Sequence, residues 1–175
     1  MNISRQVTSV KVRDMIETSL LIALVFVATA FINIRLPITA NGGIVHLGTA
    51  VLFISSIVFG RKKGAIAGAV GMGLFDITSG WIIWAPATFI IRGFMGYVLG
   101  TVAYSRGKKG NSLLYNILGI IISGIIMISG YYITEIIFYG NILAPLTSIP
   151  GNFIQIAVGG IVAVPLSKVL KKYFR

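Results

Sequence analysis

The stretch from Gly42 to Gly100 reads GGIVHLGTAVLFISSIVFGRKKGAIAGAVGMGLFDITSGWIIWAPATFIIRGFMGYVLG. Apolar runs over residues 43–60, 64–80 and 85–104 are set apart by Arg61-Lys62-Lys63 and by a connection rich in Trp and Pro. Each run is near the ~20 residues that carry a helix across a hydrocarbon core. Basic charge at one end of a pair of apolar runs, and none at the other, is the pattern of membrane topology.

Outward from this segment, further apolar runs cover residues 16–33, 112–138 and 151–168. The expectation is an all-α integral membrane bundle of six transmembrane helices, forming one domain over residues 1–175. Arg5, Lys11 and Arg13 precede the first span. Arg61, Lys62 and Lys63 follow the second, Arg106, Lys108 and Lys109 the fourth, and Lys168, Lys171, Lys172 and Arg175 the sixth. The alternate connections around residues 34–42, 78–86 and 139–150 hold Arg35 as their one basic residue. The positive-inside rule then puts both termini in the cytoplasm and those three connections outside.

Composition narrows the function classes. With 56% hydrophobic and 11% charged residues, a soluble domain of 175 residues could not hide its apolar surface. A net charge of +11 would suggest nucleic acid in a soluble chain, but here the basic residues sit at the ends of spans, and no nucleic-acid partner is expected. The chain has no cysteine and one histidine, which leaves no basis for a disulfide, a thiolate nucleophile, a metal site or a cofactor. Lys11 and Arg13 before an apolar run ending in Ala28-Thr29-Ala30 resemble a cleavable signal peptide. Cleavage would spoil the alternation of charge, so the segment is read as a retained span.

Small residues recur at four-residue spacing: Gly64 with Gly68, Ala65 with Ala69 and Gly73, and Gly96 with Gly100. Such stripes let helices approach closely in lipid, and packing inside the bundle is the reading adopted. Three ionisable residues fall within spans. Asp76 and Glu135 lie near the outer ends of spans three and five, and Arg92 lies two turns into span four. A charge at mid-membrane costs on the order of 2.5–3.5 kcal/mol on insertion scales, so each is expected to face protein or water and to have a partner. The simplest partnership is an ion pair of Arg92 with Asp76 or Glu135.

Neighbouring residues suggest a pocket. Tyr131 lies one turn before Glu135, Asn152 and Gln155 are three apart at the outer start of span six, and Trp81 and Trp84 occupy an outer connection. His46 enters span two from the same side. Trp and Tyr commonly mark the membrane interface, and an interfacial histidine is commonly a hydrogen-bonding residue alone. The concurrence of these groups in one half of the bundle is what makes Asp76, Trp84, Arg92, Tyr131, Glu135, Asn152, Gln155 and His46 the candidate substrate-binding set. Two carboxylates against one guanidinium would suit a neutral or weakly cationic guest, and aromatic walls would suit a flat ring.

The stretch from Asn33 to Gly100 resembles substrate-specificity (S) subunits of energy-coupling factor (ECF) vitamin transporters. Phe59-Gly60 before the basic turn, Gly64-Ala65 opening the next helix, Asp76 near that helix's end, and Ala85-Pro86 ahead of Arg92 carry the resemblance. Together they are similar to the branch of riboflavin, pyridoxine and hydroxymethylpyrimidine carriers. The resemblance implies a six-helix subunit that captures a small vitamin from outside, together with a transmembrane coupling subunit and two cytoplasmic ATPase subunits. It implies that this chain is no enzyme, and the sequence has no G-x-x-x-x-G-K-[ST] loop. Members of the family carry small residues at four-residue spacing on helix one, where the coupling subunit packs. Here Ser19 and Ala23 keep that spacing, while Ala28 and Ala30 miss the register.

Among these vitamins, pyridoxine or hydroxymethylpyrimidine is preferred to riboflavin, given the small polar and aromatic set. A competing reading is an autonomous ion-coupled secondary transporter or channel using Asp76 or Glu135, but the inner halves of the spans hold no comparable charges. An intramembrane enzyme lacks any H-E-x-x-H, G-x-S-x-G or clustered aspartate motif. The expected mechanism is capture without chemistry, with the 34–42 and 78–86 connections roofing an outward pocket.

Overall fold

A computed structural model describes the backbone of residues 3–35 and 44–173. Six α-helices follow in order: α1 Ile3–Phe31, α2 Gly48–Phe59, α3 Arg61–Thr78, α4 Ala85–Tyr104, α5 Leu113–Tyr139 and α6 Ile149–Leu170. Short 3-10 turns at Ser105–Gly107 and Ala144–Ser148 lead into α5 and α6. Four segments, Lys11–Phe31, Ala85–Gly107, Leu113–Tyr139 and Ala144–Leu170, are long and apolar enough to cross a membrane. The third helix is 18 residues long, but the basic triplet in its first turn and Asp76 near its end dilute its apolar character.

The expectation of an all-α chain is corrected at one place. β1 (Asn33–Arg35) and β2 (Ile44–His46) form an antiparallel pair in which Ile34 lies opposite Val45. Branched Ile34, Ile44 and Val45 favour extended backbone, and pairing satisfies N–H and C=O groups that a chain leaving the helix would otherwise leave open. The hairpin takes its residues from the expected second span, so α2 begins at Gly48 and has 12 residues. At 1.5 Å per residue it spans about 18 Å, well short of a hydrocarbon core. Residues 36–43, the greater part of the expected 34–42 roof, lie outside the described residues.

Close helix contact explains the small-residue stripes. A side chain at Gly96 would overlap the backbone of Gly64, and one at Gly100 would overlap that of Arg61, so α3 and α4 touch nearly backbone to backbone. Gly71 lets α3 approach α1 closely, against the Val25 side chain and the Ile22 carbonyl. Val25 and Thr29 are fully buried in this packing, which places the apolar run after Lys11 within the bundle. Leu52, Phe53, Ile57, Met72, Met95, Leu99 and Met127 fill the centre. Ile16, Leu20, Leu24, Ile90, Phe94, Ile121, Ile125 and Ile161 point outward, an apolar exterior that suits lipid.

The basic connections gather at one end. Gly60, with φ of 89°, is the single residue between α2 and α3, a conformation glycine adopts without a Cβ clash. The Tyr104 hydroxyl donates to the Val58 carbonyl at 2.8 Å, the Asn116 amide donates to the Gly110 carbonyl at 2.9 Å, and Lys171 donates to the Lys109 carbonyl. Lys63 reaches Asp14 and Glu17 on α1. With these turns collected, the ends of α1, α3 and α5 and the starts of α2, α4 and α6 meet at the other end.

Candidate ligand-binding site

At that other end the helices diverge around a cavity of about 830 Å³, its open mouth included. The end of α3 contributes Asp76, the turn after it Trp81 and Trp84, α4 contributes Thr88 and Arg92, α5 Tyr131 and Glu135, and the start of α6 Asn152 and Gln155. From β2 comes His46. All eight candidate residues named from the sequence thus line one cavity. Asp76, Trp84, Tyr131 and Asn152 are half-buried there, whereas His46, Arg92, Glu135 and Gln155 are buried.

Local sequence explains several of these placements. Thr88 and Arg92 are one turn apart on α4, as Tyr131 and Glu135 are on α5, so each pair shares a helix face. Pro86 in the first turn of α4 fixes the chain where its missing N–H costs no hydrogen bond. Backbone bonds from Trp81 to the Asp76 carbonyl (2.9 Å) and from Trp84 to the Trp81 carbonyl (2.8 Å) fold the connection so that both indoles meet the cavity. Trp84 is held edge-on against Phe138, centroids 5.0 Å apart, and tilted against Tyr131 at 6.4 Å.

The expected ion pair between Arg92 and Asp76 is not formed. Arg92 instead turns toward neutral groups. Its Nε donates to the Tyr131 hydroxyl at 3.2 Å, and one terminal nitrogen donates to Thr49 Oγ1 at 3.2 Å. The same nitrogen contacts the Met127 sulfur at 3.2 Å, and the guanidinium lies 5.2 Å from the centroid of the Tyr131 ring. The physical reason is reach: from two turns down α4 the side chain extends across the bundle toward α2 and α5, while Asp76 stays near the mouth. On the far wall, the Ser148 hydroxyl donates to a Glu135 carboxylate oxygen at 2.9 Å.

Several lining residues escaped the sequence reading. Thr88 shares a hydrogen bond of 3.1 Å with Tyr131, and its i, i+4 relation to Arg92 was a usable signal. Ser148, Thr29, Phe75 and Met72 carry no comparable local signature. Among the described residues no group of three His, Cys, Asp or Glu side chains could hold a metal ion. Ser19 and Ala23, the expected coupling-subunit contacts, lie on the exposed face of α1 away from the cavity.

A bundle of apolar helices around a cavity of aromatic and polar side chains is the form of a membrane-embedded binding protein. Residues 9–172 match the model of the family described as ECF-type riboflavin transporter, S component. The chain belongs to this family. S components bind vitamins and serve as substrate-binding subunits of transporters, working with membrane and ATPase components, so this chain's role lies in transport and not in catalysis.

Two relatives cover most of the chain. One, from Pyrococcus woesei, bears the description "uncharacterized protein in gap 3'region" and is 31% identical over 139 residues, 79% of this chain and 90% of its own. The other, the thiamine precursor transporter HmpT of Lactococcus lactis, is 27% identical over 150 residues, covering 86% of this chain and 82% of its own. A solved structure described as the S component of a bacterial ECF transporter superposes with a TM-score of 0.69 at 22% identity. That likeness covers 94% of this chain and 99% of the other and concerns the fold.

Proposed function

We propose that this chain captures a small aromatic vitamin or vitamin precursor from outside a prokaryotic cell, with pyridoxine or hydroxymethylpyrimidine preferred to riboflavin. The observation that carries the reading is the convergence of Trp81, Trp84 and Tyr131 with Asp76, Glu135 and Asn152 on one cavity. Flat aromatic walls bind a ring by stacking and edge contact. The carboxylates accept hydrogen bonds from ring N–H, amino or hydroxymethyl groups, and charge-assisted bonds of this kind are the stronger sort. Similarity to a thiamine precursor transporter supports a small pyrimidine over a larger ring system.

In this reading residues 1–175 form one domain of six membrane-crossing segments in the plasma membrane, with α2 and the β-hairpin together making the second. Both termini are cytoplasmic, since the basic turns gather at one end of the bundle. Binding involves no chemistry. The energy for release inward comes from ATP hydrolysed by two partner ATPase subunits, transmitted through a transmembrane coupling subunit that packs on α1 near Ser19 and Ala23.

The test uses the purified full chain in detergent. Its two tryptophans both line the cavity, so ligand contact is read directly in their emission. Titration with hydroxymethylpyrimidine, pyridoxine and riboflavin should give submicromolar, saturable quenching with one of the first two. Tight binding of riboflavin alone overturns the substrate preference. Absence of binding by all three, in a folded preparation, overturns the capture reading.

A further inference from the structure

Arg92 is 4% exposed, and its donors are nearly all taken by neutral partners. Besides Tyr131 and Thr49, its second terminal nitrogen donates at 3.1 Å to the amide oxygen of Gln155. That same oxygen accepts from Thr49 at 2.6 Å and from His46 Nε2 at 3.0 Å, while the Gln155 amide nitrogen donates to the Ile44 carbonyl at 2.7 Å. The opposite amide orientation would set oxygen against oxygen at Ile44, so the network has one sense throughout.

Two arms therefore leave one guanidinium. The first runs through Gln155 to His46 and Ile44 on β2. The second runs through the Tyr131 hydroxyl to Thr88. Because Arg92 can only donate, Tyr131 must accept from it, and the Tyr131 proton is directed toward Thr88 or into the cavity. A single side chain sets the polarity of hydrogen bonds on β2, α2, α4, α5 and α6.

We propose that Arg92 is a positioning residue of the ligand cavity. It acts on the bound ring through Tyr131 and Gln155, whose polar atoms it orients, and it is not the ligand's counter-ion. This rests on reading the cavity as the vitamin site. A planar fork of donors is needed for the role, and a lysine ammonium, a point charge on a flexible stem, does not supply it.

Thr49 separates the two possibilities. It is fully buried, lies outside the cavity lining, and joins Arg92 to Gln155. Thr49→Val keeps its shape and removes only the polar link. The full chain in detergent is titrated calorimetrically with hydroxymethylpyrimidine, pyridoxine and riboflavin, and folding is followed by thermal unfolding. If Arg92 positions, folded Thr49→Val loses about tenfold in affinity, the scale of a lost hydrogen bond to a charged group. Arg92→Lys then binds as poorly as Arg92→Gln, and the effects of Thr49→Val and Tyr131→Phe combine to less than their product.

Wild-type affinity in folded Thr49→Val overturns the proposal even if every Arg92 variant fails to fold. So does near-normal affinity in Arg92→Lys beside a loss in Arg92→Gln, since charge alone would then suffice. Binding by the wild type with either result overturns positioning alone, whereas no binding by the folded wild type removes the vitamin-site reading as well.

Discussion

Lys63 Nζ lies 2.8 Å from an Asp14 carboxylate oxygen and also bonds Glu17, so the first turn of α3 is clamped to α1 by both carboxylates near the basic end. Arg13 donates to the second oxygen of Glu17 at 2.7 Å. Lys63 and Glu17 are mostly buried while Asp14 is open to solvent, which makes this a network at the membrane edge. Lys63→Met should lower stability by about 1 kcal/mol, more than an isolated exposed pair because two carboxylates lose one cation. Thermal unfolding in detergent at low and high salt checks this, with the difference from wild type shrinking at high salt. Ligand affinity should be unchanged, since the network is at the end away from the cavity.

Glu135 is buried at the cavity wall with Ser148 donating to it. Glu135→Gln keeps the shape and halves the acceptor capacity of the group. We expect ligand affinity to fall by about 1.5–3 kcal/mol if ring donors address this carboxylate. Titration of the variant against hydroxymethylpyrimidine and pyridoxine measures it. Equal affinity for both ligands before and after the change would remove Glu135 from the ligand contacts.

Gly96 meets the Gly64 backbone across the α3–α4 interface. Gly96→Ala introduces a Cβ where only backbone can yield, so the helices must separate. The expected cost is about 1–3 kcal/mol, the usual range for overpacking, despite alanine's better helix propensity. A drop in melting temperature measures it. A variant as stable as wild type would show that the two helices adjust their separation freely.

Ala23 is exposed on α1, outside the cavity and the described core. Ala23→Trp should leave vitamin binding by the isolated chain intact and prevent assembly with the coupling subunit. Co-purification of the partners, with binding measured in parallel, provides the check. Normal assembly of the variant would remove Ala23 from the docking face.

The candidate cavity was largely legible before the fold was known. Charge is costly in lipid, so Asp76, Arg92 and Glu135 in the outer halves of different spans were each expected to face protein or water, and with Tyr131 nearby they could converge on one pocket. What such reasoning missed were small hydroxyl residues. Thr88 and Ser148 resemble any other polar residue until the partner across the bundle is known. The same limit applies to the hairpin: the short run Ile44–His46 cannot be told from the start of an apolar helix by pattern alone.

The apolar segments, the gathering of basic turns at one end and the polar character of the other were readable from the chain, because hydropathy and charge act through composition and spacing. That α2 starts at Gly48, that Arg92 turns to Thr49, Tyr131 and Gln155 and forms no ion pair with Asp76, and that His46 joins the same network followed from the packed helices. Thr49 and Gln155 stand 106 positions apart. Contacts at that separation depend on helix packing and on which way each side chain turns, and neither is written in local pattern.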